Sequence, residues 1–280
     1  MYNLSAVGVC KMDTWYIPEW IAYHRLLGIE GFLMISFDKD PAIRAEMTAL
    51  SQQFDFELRF ENFAWGSSVY NNLQPYIKSY TKWCAYIDCD EFIYLPEGGT
   101  LTEMLREYEE YGGLSMSWRC YGSSDLEKRQ ELTTESFVYR AKDSFLPNAH
   151  QKIIVQTKYL GAFNTPHFAE TDEPLVDENF DVVPWVLKSG HPIRSANRVR
   201  VNHYLLRSKE DYENKKKRAS DVGGLPPTYW DESQVNEVYD DGICRYAQDI
   251  RYELNRYPKP PKALGVTIGK AQTDRSGLFH

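Results

Sequence analysis

The first hundred residues alternate between apolar segments of strand length and segments with helical periodicity, and this alternation restricts the fold more than any other feature. The apolar segments are Leu4–Val9, Gly31–Phe37, Phe56–Phe60 and Trp83–Ile87. The helical segments are one that begins near Pro18 and ends before Gly28, then Ala42–Phe54 and Asn71–Thr81. Such alternation is typical of βαβ units. We therefore predict an α/β fold with a mostly parallel central sheet.

The pattern becomes less regular after Pro96. We expect a helix at Leu101–Tyr111, followed by β-like segments at Gly113–Trp118, Phe137–Arg140 and Lys152–Val155. A long polar loop or lid is expected at Asn164–Lys188, and a last strand at Arg198–Leu206. A helix is predicted at Lys209–Ser220, with Ser208 as N-cap and Asp211 completing a weak capping box. Asp231–Asn255 is a further helical region. These features divide the chain into a domain at 1–207 and C-terminal helices with an extended tail at 208–280.

Charge and cysteine content limit the possible partners and compartments. The formal net charge of −8 at pH 7 argues against broad nucleic-acid binding, which needs a positive surface. Five cysteines without regular spacing fit a reducing compartment. The sequence has neither a signal-peptide pattern nor the roughly 18 consecutive apolar residues of a membrane span. We expect a cytoplasmic protein, with peripheral contact at the inner face of the membrane left open.

Three acidic residues, Asp88, Asp90 and Glu91, crowd the end of the apolar segment Trp83–Ile87. Ligands of open α/β sheets bind outside the carboxyl ends of the strands. At the end of a strand, Asp88 and Asp90 are expected to point to the same side, since strand side chains repeat with period two. Two carboxylates there suit Mg²⁺ or Mn²⁺, which can bridge to a diphosphate. The alternative is a solvated acidic turn, which the apolar segment Phe92–Leu95 that follows disfavours.

Lys152 lies in an otherwise apolar predicted strand. A buried lysine requires an anion, so we expect a carboxylate or a bound diphosphate near it. The basic run Lys215–Arg218 is interpreted as a solvated helix face, with the binding of a diphosphate or an acidic acceptor as the alternative.

Several blocks of sequence, in order, resemble the glycosyltransferase family 2-like and family 92-like proteins, which have a GT-A (Rossmann-like) fold. The blocks are Lys11–Asp13, Glu19–Gly28, Ile87–Phe92, Trp118–Ser124, Lys152–Val155, Asn202–Tyr204 and Arg207–Lys209. Together they extend over roughly residues 4–220. The sequence departs from the family at Met12-Asp13, where the family usually has Asn-Glu after the lysine.

The resemblance implies transfer of a sugar from a nucleotide donor, usually a UDP-sugar, with a divalent metal. It places Lys11 and Asp13 near the nucleotide and Asp38 near the base or ribose. Asp88 and Asp90 would hold the metal and diphosphate, and His203 would complete the metal shell. For Asp38 the alternative is a turn residue before Pro41, and for His203 it is a satisfied core residue.

An inverting transfer, which the resemblance favours, requires a base near the acceptor hydroxyl. The candidates are Asp125 and Glu127, with Asp125 ahead. The competing carboxylates are Glu170, Asp172 and Glu173, and simple surface charge is the alternative for each. The helix residues Glu19, Trp20 and His24 are expected to be structural, whereas His150 and His167 could line an acceptor cleft.

The resemblance therefore implies a hexosyltransferase, with UDP-galactose, ahead of UDP-glucose, as the expected donor. The acceptor would be a saccharide or a lipid-linked sugar in surface polysaccharide synthesis. Two alternatives stay open. One is a metal-dependent nucleotidyltransferase or phosphohydrolase that uses the same carboxylates, and the other is a non-catalytic carbohydrate-binding protein.

Overall fold

The computed structural model describes residues 1–11, 14–62, 67–184, 192–219 and 224–257. The predicted strand–helix alternation of the first hundred residues is confirmed. The strands are β1 (Tyr2–Cys10), β2 (Gly31–Ser36), β3 (Glu57–Phe60) and β4 (Thr81–Tyr86). The helices are α1 (Ile17–Leu26), α2 (Pro41–Phe54) and α3 (Ser67–Tyr80). Pro75 lies inside α3.

The remainder of the chain adds shorter elements. Its strands are β5 (Glu91–Tyr94), β6 (Gly113–Tyr121), β7 (Tyr139–Arg140), β8 (Gln151–Gln156), β9 (Leu160–Thr165), β10 (Phe168–Thr171), β11 (Leu175–Val176), β12 (Arg200–Tyr204) and β13 (Val238–Tyr239). Its helices are α4 (Leu101–Met104), α5 (Thr133–Ser136), α6 (Lys209–Ala219), α7 (Tyr229–Glu232) and α8 (Ala247–Arg256).

The central sheet has a parallel half and a mixed half. Strands β3, β2, β1 and β4 lie side by side and are all parallel, as predicted. Strand β8 is antiparallel both to β4 and to β6, so β4 and β6 run in the same direction. Strand β12 lies between β5 and β6, antiparallel to β5 and parallel to β6. The carboxyl ends of β1, β2, β4, β6 and β12 therefore meet at one edge.

Helix α1 is fixed by polar groups that are fully paired in the core. The His24 Nδ1–H donates to the Trp20 carbonyl at 2.8 Å, and the Ile93 amide donates to His24 Nε2 at 3.3 Å. Burial lowers the pKa of the His24 ring to about 3, so the ring stays neutral. Glu19 accepts from the amides of Thr133 and Thr134 at 2.7 and 2.8 Å. These contacts give Glu19, Trp20 and His24 the structural role expected from the sequence.

Three predicted elements differ from the structure. The Leu101–Tyr111 helix is broken into α4 and a 3₁₀ turn at Leu105–Tyr108. The segment predicted as a loop or lid contains β10 and β11, because Ala169, Leu175 and Val176 pack in the core. Its residues 185–188 lie outside the described residues. The region Asp231–Asn255 includes β13 as well as α8, and the predicted tail falls largely outside the described part.

The C-terminal segment packs against the first domain. The Arg25 guanidinium donates to the Phe54 carbonyl at 2.6 Å and lies 5.2 Å from the ring centroid of Tyr257. The predicted N-cap of α6 is confirmed, with the Asp211 amide donating to Ser208 Oγ at 3.2 Å. The boundary after residue 207 stays a prediction. Among the described helices, none has the length and apolar character needed to cross a membrane.

Two buried acids, Asp177 and Glu178, organise the approach to β12. Glu178 accepts from the backbone amides of Asn197, Arg198 and Val199 at 2.8, 2.8 and 2.9 Å. A carboxylate that accepts several backbone N–H groups strongly stabilises the segment that supplies them. This role of Glu178 is not predictable from the sequence pattern, because the amides that it binds lie in a separate segment of the chain.

We expect Glu178→Gln to lower the free energy of unfolding by about 2 kcal/mol, because a charge-assisted set of hydrogen bonds becomes neutral and one amide loses its acceptor. Urea denaturation measures the change. Glu107→Gln is the matched control: its half-exposed carboxylate also pairs with Arg198, at 2.9 Å, and its loss should cost about 0.5 kcal/mol. Equal effects of the two substitutions would contradict the role assigned to Glu178.

Candidate functional site

The acidic residues after β4 form a tight turn. The Glu91 amide donates to the Asp88 carbonyl at 3.0 Å, and the Asp88 amide donates to Glu91 Oε2 at 2.7 Å. Because β4 ends at Tyr86, the period-two argument does not apply to Asp88 and Asp90. Their side chains instead contact different partners, and this corrects the predicted geometry.

Lys152 of β8 joins two of the acids. Its Nζ lies 2.7 Å from Asp88 Oδ2 and 3.3 Å from Glu91 Oε2, with 1% of the lysine side chain exposed. Burial raises the pKa of the Glu91 carboxyl above its ordinary value, and the Lys152 ammonium opposes that rise. Burial would lower the pKa of Lys152, but Asp88 and Glu91 raise it overall, so the lysine stays charged. Of the two expected anions, the structure supplies the carboxylate.

Asp90 faces two further side chains at the same edge of the sheet. Lys215 Nζ of α6 donates to Asp90 Oδ2 at 3.2 Å, and His203 Nε2 of β12 lies 3.7 Å from Asp90 Oδ1. Burial alone would raise the pKa of Asp90, but Lys215, His203 and Arg207 together hold it well below its ordinary range. Asp90 is therefore ionised at neutral pH.

The predicted metal ligands are only partly brought together. In the described part of the chain, no three His, Cys, Asp or Glu side chains form a group that could hold a metal ion. Asp88 turns towards Lys152, whereas Asp90 and His203 face each other. A separation of 3.7 Å is long for a hydrogen bond but suits two ligands of one ion. Of the predicted metal ligands, the structure therefore places only Asp90 and His203 close enough to share one divalent ion, and the metal itself stays a prediction.

Lys11 directly follows β1, and Asp38 lies two residues beyond the end of β2, so both are at the strand ends at which the sequence predicts them. Asp38 is buried and accepts from Ser36 Oγ at 2.8 Å, so its carboxylate is fixed at the end of β2. Asp13 lies outside the described residues. The nucleotide contacts assigned to these three residues stay predictions.

The proposed bases are exposed, and no hydrogen bond or ion pair between described residues joins them to Asp88 or Asp90. Asp125, with φ of 57°, accepts from Asn236 Nδ2 at 3.0 Å. The Glu127 carbonyl accepts from the Glu210 amide at 3.1 Å, which ties this loop to the start of α6. The three competing carboxylates are exposed and lie in β10 or directly after it; they are Glu170, Asp172 and Glu173.

Lys215 is a site residue that the sequence interpretation had placed on a solvated face. Its Nζ donates to the Leu205 carbonyl at 2.8 Å as well as to Asp90. Helical spacing could have revealed it, because Lys215 follows Asp211 by four residues and Tyr212 by three, and both of these are buried. The neighbouring Lys216 points outward and pairs with Glu213 at 3.3 Å.

Arg207 connects the acidic turn to α6. Its Nη2 donates to the Cys89 carbonyl at 2.8 Å, and its guanidinium lies 4.0 Å from the ring centroid of Tyr16. Tyr16 in turn donates to Asp211 Oδ2 at 2.8 Å. The first helix of the domain, the acidic turn and the start of α6 are therefore tied into one unit.

Solved structures resemble parts of this fold. HddC from Yersinia pseudotuberculosis overlaps 79% of this chain and 100% of its own, with 11% identity and a TM-score of 0.41. Residues 1–349 of S. aureus TarS in complex with UDP-GlcNAc overlap 56% of this chain and 46% of that one, with 10% identity and a TM-score of 0.34. Likenesses of this extent assign neither a function nor a ligand to this chain.

Plant proteins of one family are similar in sequence. A glycosyltransferase family 92 protein of Arabidopsis thaliana is 24% identical over 165 residues, which are 52% of this chain and 28% of that protein. One from Ricinus communis is 26% identical over 98 residues, which are 34% of this chain and 17% of that protein. The matched segments thus span less than a third of these relatives. The profile described as Glycosyltransferase family 92 matches residues 6–182, more than half of the sequence, and the chain therefore belongs to glycosyltransferase family 92.

Proposed function

We propose that this protein is a glycosyltransferase of GT-A type that transfers a hexose, galactose or glucose, from a UDP-sugar to a saccharide or lipid-linked acceptor. The reaction would invert the anomeric centre and serve surface polysaccharide synthesis. Family membership supports sugar transfer. The observation that carries the donor site is the pairing of Asp88 with Lys152 and of Asp90 with Lys215, at the edge where parallel strands end.

These residues suit the leaving diphosphate. When the bond between the anomeric carbon and the diphosphate oxygen breaks, negative charge develops on that oxygen. Fixed cations placed where charge develops stabilise the transition state. Lys215 has 20% of its side chain exposed, so it can reach a bound phosphate, whereas Lys152 is enclosed and holds Asp88 in place.

A divalent ion, Mn²⁺ or Mg²⁺, would bind to Asp90 and His203 in this proposal and would neutralise charge on the diphosphate. Burial lowers the pKa of His203, although Asp90 opposes this, so the ring is neutral and able to ligate. Lys11, Asp13 and Asp38 would contact the nucleotide. Asp125 or Glu127 would take the proton of the acceptor hydroxyl as its oxygen attacks the anomeric carbon.

Calorimetric titration of UDP into the protein tests this donor site, with and without Mn²⁺. We expect metal-dependent binding in the wild type and a loss of at least tenfold in affinity in Asp90→Ala, because a divalent ion loses a carboxylate ligand. Asp172→Ala, which removes an exposed carboxylate on another loop, serves as control. If UDP fails to bind the wild type with metal present, or binds Asp90→Ala equally well, the assignment is wrong.

A further inference from the structure

Four rings form a group beside the acidic turn, and the proposed transfer assigns a role to only one of them, His203. His150 stacks on Trp118, with ring centroids 4.7 Å apart and planes at 18°. His203 and His167 lie 4.1 and 5.3 Å from Trp118, centroid to centroid. The centroids of His150 and His167 are 5.5 Å apart. We call Trp118, His150, His167 and His203 the Trp118 cluster.

The topology places this cluster at the ligand-binding edge of the sheet. His150 directly precedes β8, which begins at this edge because it runs antiparallel to β4. The Trp118 amide donates to the His150 carbonyl at 3.0 Å, which fixes the end of β6 beside the start of β8. His167 lies in the turn between β9 and β10. The cluster is thus next to Lys152 and, through His203, next to Asp90.

Backbone carbonyls fix the tautomers of two of the histidines. His150 Nδ1 lies 3.0 Å from the Pro147 carbonyl, and His167 Nδ1 lies 3.1 Å from the Gln151 carbonyl. A carbonyl can only accept, so each Nδ1 carries the proton and each neutral ring keeps a lone pair on Nε2. Within the described ranges, neither Nε2 atom has a hydrogen-bond partner. The histidines therefore offer two acceptors on rigidly held rings.

Trp118 packs against both of these histidine rings. Its side chain is 8% exposed, yet its Nε1–H is buried without a hydrogen-bond partner among the residues that the structure describes. The two histidine acceptors match hydroxyl groups, which donate hydrogen bonds. Because His150 covers a face of Trp118, the indole is placed to position His150 rather than to stack on a ligand.

We propose that the Trp118 cluster binds the hydroxyl groups of a neutral sugar, with His150 Nε2 and His167 Nε2 accepting hydrogen bonds from them. This inference rests on the proposed function and specifies which part of the substrate these residues recognise. The sugar is either the hexose of the donor or the terminal residue of the acceptor. His150 and His167 are then specificity-determining residues, and Trp118 is a positioning residue.

Single substitutions separate recognition by the lone pair from packing of the ring. His150→Phe and His167→Phe keep the ring and remove Nε2, whereas His150→Gln and His167→Gln retain an acceptor oxygen. Tyr252→Phe, at a residue that is 67% exposed, is the control substitution and should leave the affinity for the sugar unchanged. Thermal unfolding of each variant verifies that it is folded before binding is measured.

Two binding measurements distinguish the sources of the sugar. The first compares the affinities for UDP and for UDP-galactose or UDP-glucose with metal present. The second measures the binding of methyl β-galactoside or methyl β-glucoside to the protein saturated with UDP. Loss of one hydrogen bond should weaken the sugar-dependent affinity by about three- to tenfold in each Phe variant. We expect unchanged UDP binding and partial recovery in the Gln variants.

The outcomes separate this proposal from the donor-site assignment. If a Phe variant binds UDP like the wild type but loses affinity for the sugar in either measurement, the proposal is supported. Unchanged sugar-dependent affinity in both measurements, or a wild type whose affinity does not depend on the sugar at all, overturns it. Failure of the wild type to bind UDP contradicts the donor site instead.

Discussion

Replacing Lys152 by methionine is expected to lower the free energy of unfolding by about 3–5 kcal/mol, because it leaves uncompensated carboxylates in the protein interior. Glu91 is fully buried and lies 3.3 Å from Lys152 Nζ. Without the lysine, the pKa of Glu91 should rise further, and its protonation would relieve only part of the cost. Denaturation monitored by tryptophan fluorescence measures the loss.

Two variants establish whether charge, rather than volume, causes this loss. Lys158→Met removes an exposed lysine just beyond the same strand and should change stability by less than about 0.5 kcal/mol. Adding Glu91→Gln to Lys152→Met should recover part of the stability, since it removes the unpaired charge and keeps an acceptor for the Asp88 amide. If the double variant is no more stable than Lys152→Met, the unpaired charge of Glu91 is not the cause of the lost stability.

The second large effect is on the rate of reaction. Lys215→Met should lower the rate at which the bond between the sugar and UDP breaks by about 100- to 1000-fold, because a fixed cation beside the charge that develops on the diphosphate is lost. Some loss of stability is expected as well, because Lys215 helps to hold the pKa of Asp90 below its ordinary range, so thermal unfolding verifies that the variant is folded before its kinetics are measured. Steady-state kinetics with UDP-galactose or UDP-glucose as donor gives kcat and KM separately.

Lys216→Met is the matched control for this effect. It removes the same charge from the next residue of α6, where 51% of the side chain is exposed and the ion pair is with Glu213. We expect the rate to change by less than threefold, because an exposed charge that does not contact the site is largely screened by salt. If both variants lose activity alike, the effect belongs to the general charge of α6, and the role given to Lys215 is wrong.

The first half of the fold was predictable because its information is local. Hydrophobic periodicity and the Pro18 and Gly28 boundaries give β1 to β4 and α1 to α3 within a few residues. The direction of β8 was not predictable, since it depends on pairing with β4 and β6, which precede it in the chain. The short helix α4 also shows how tertiary packing overrides amphipathic periodicity.

The candidate site also has a part that the sequence predicts and a part that depends on tertiary structure. The strand-end rule located Asp88 and Asp90, and the cost of burying a lysine predicted the carboxylate beside Lys152. The separate orientation of the two aspartates was missed because a turn, and not a strand, carries them. The Trp118 cluster could not be predicted as a unit, since its rings come from four segments that only the folded sheet brings together.

The place of β12 in the sheet has a consequence for how the chain folds. This strand, which carries His203, occupies the space between β5 and β6, although both are synthesised well before it. A nascent chain that has reached residue 182 therefore still lacks the neighbour of β5, and its unpaired edges are sites for aggregation. Pairing between segments so distant in sequence is slow, since loop-closure entropy is lost before contacts form. We therefore expect completion of the sheet and delivery of His203 to Asp90 to occur together, late in folding.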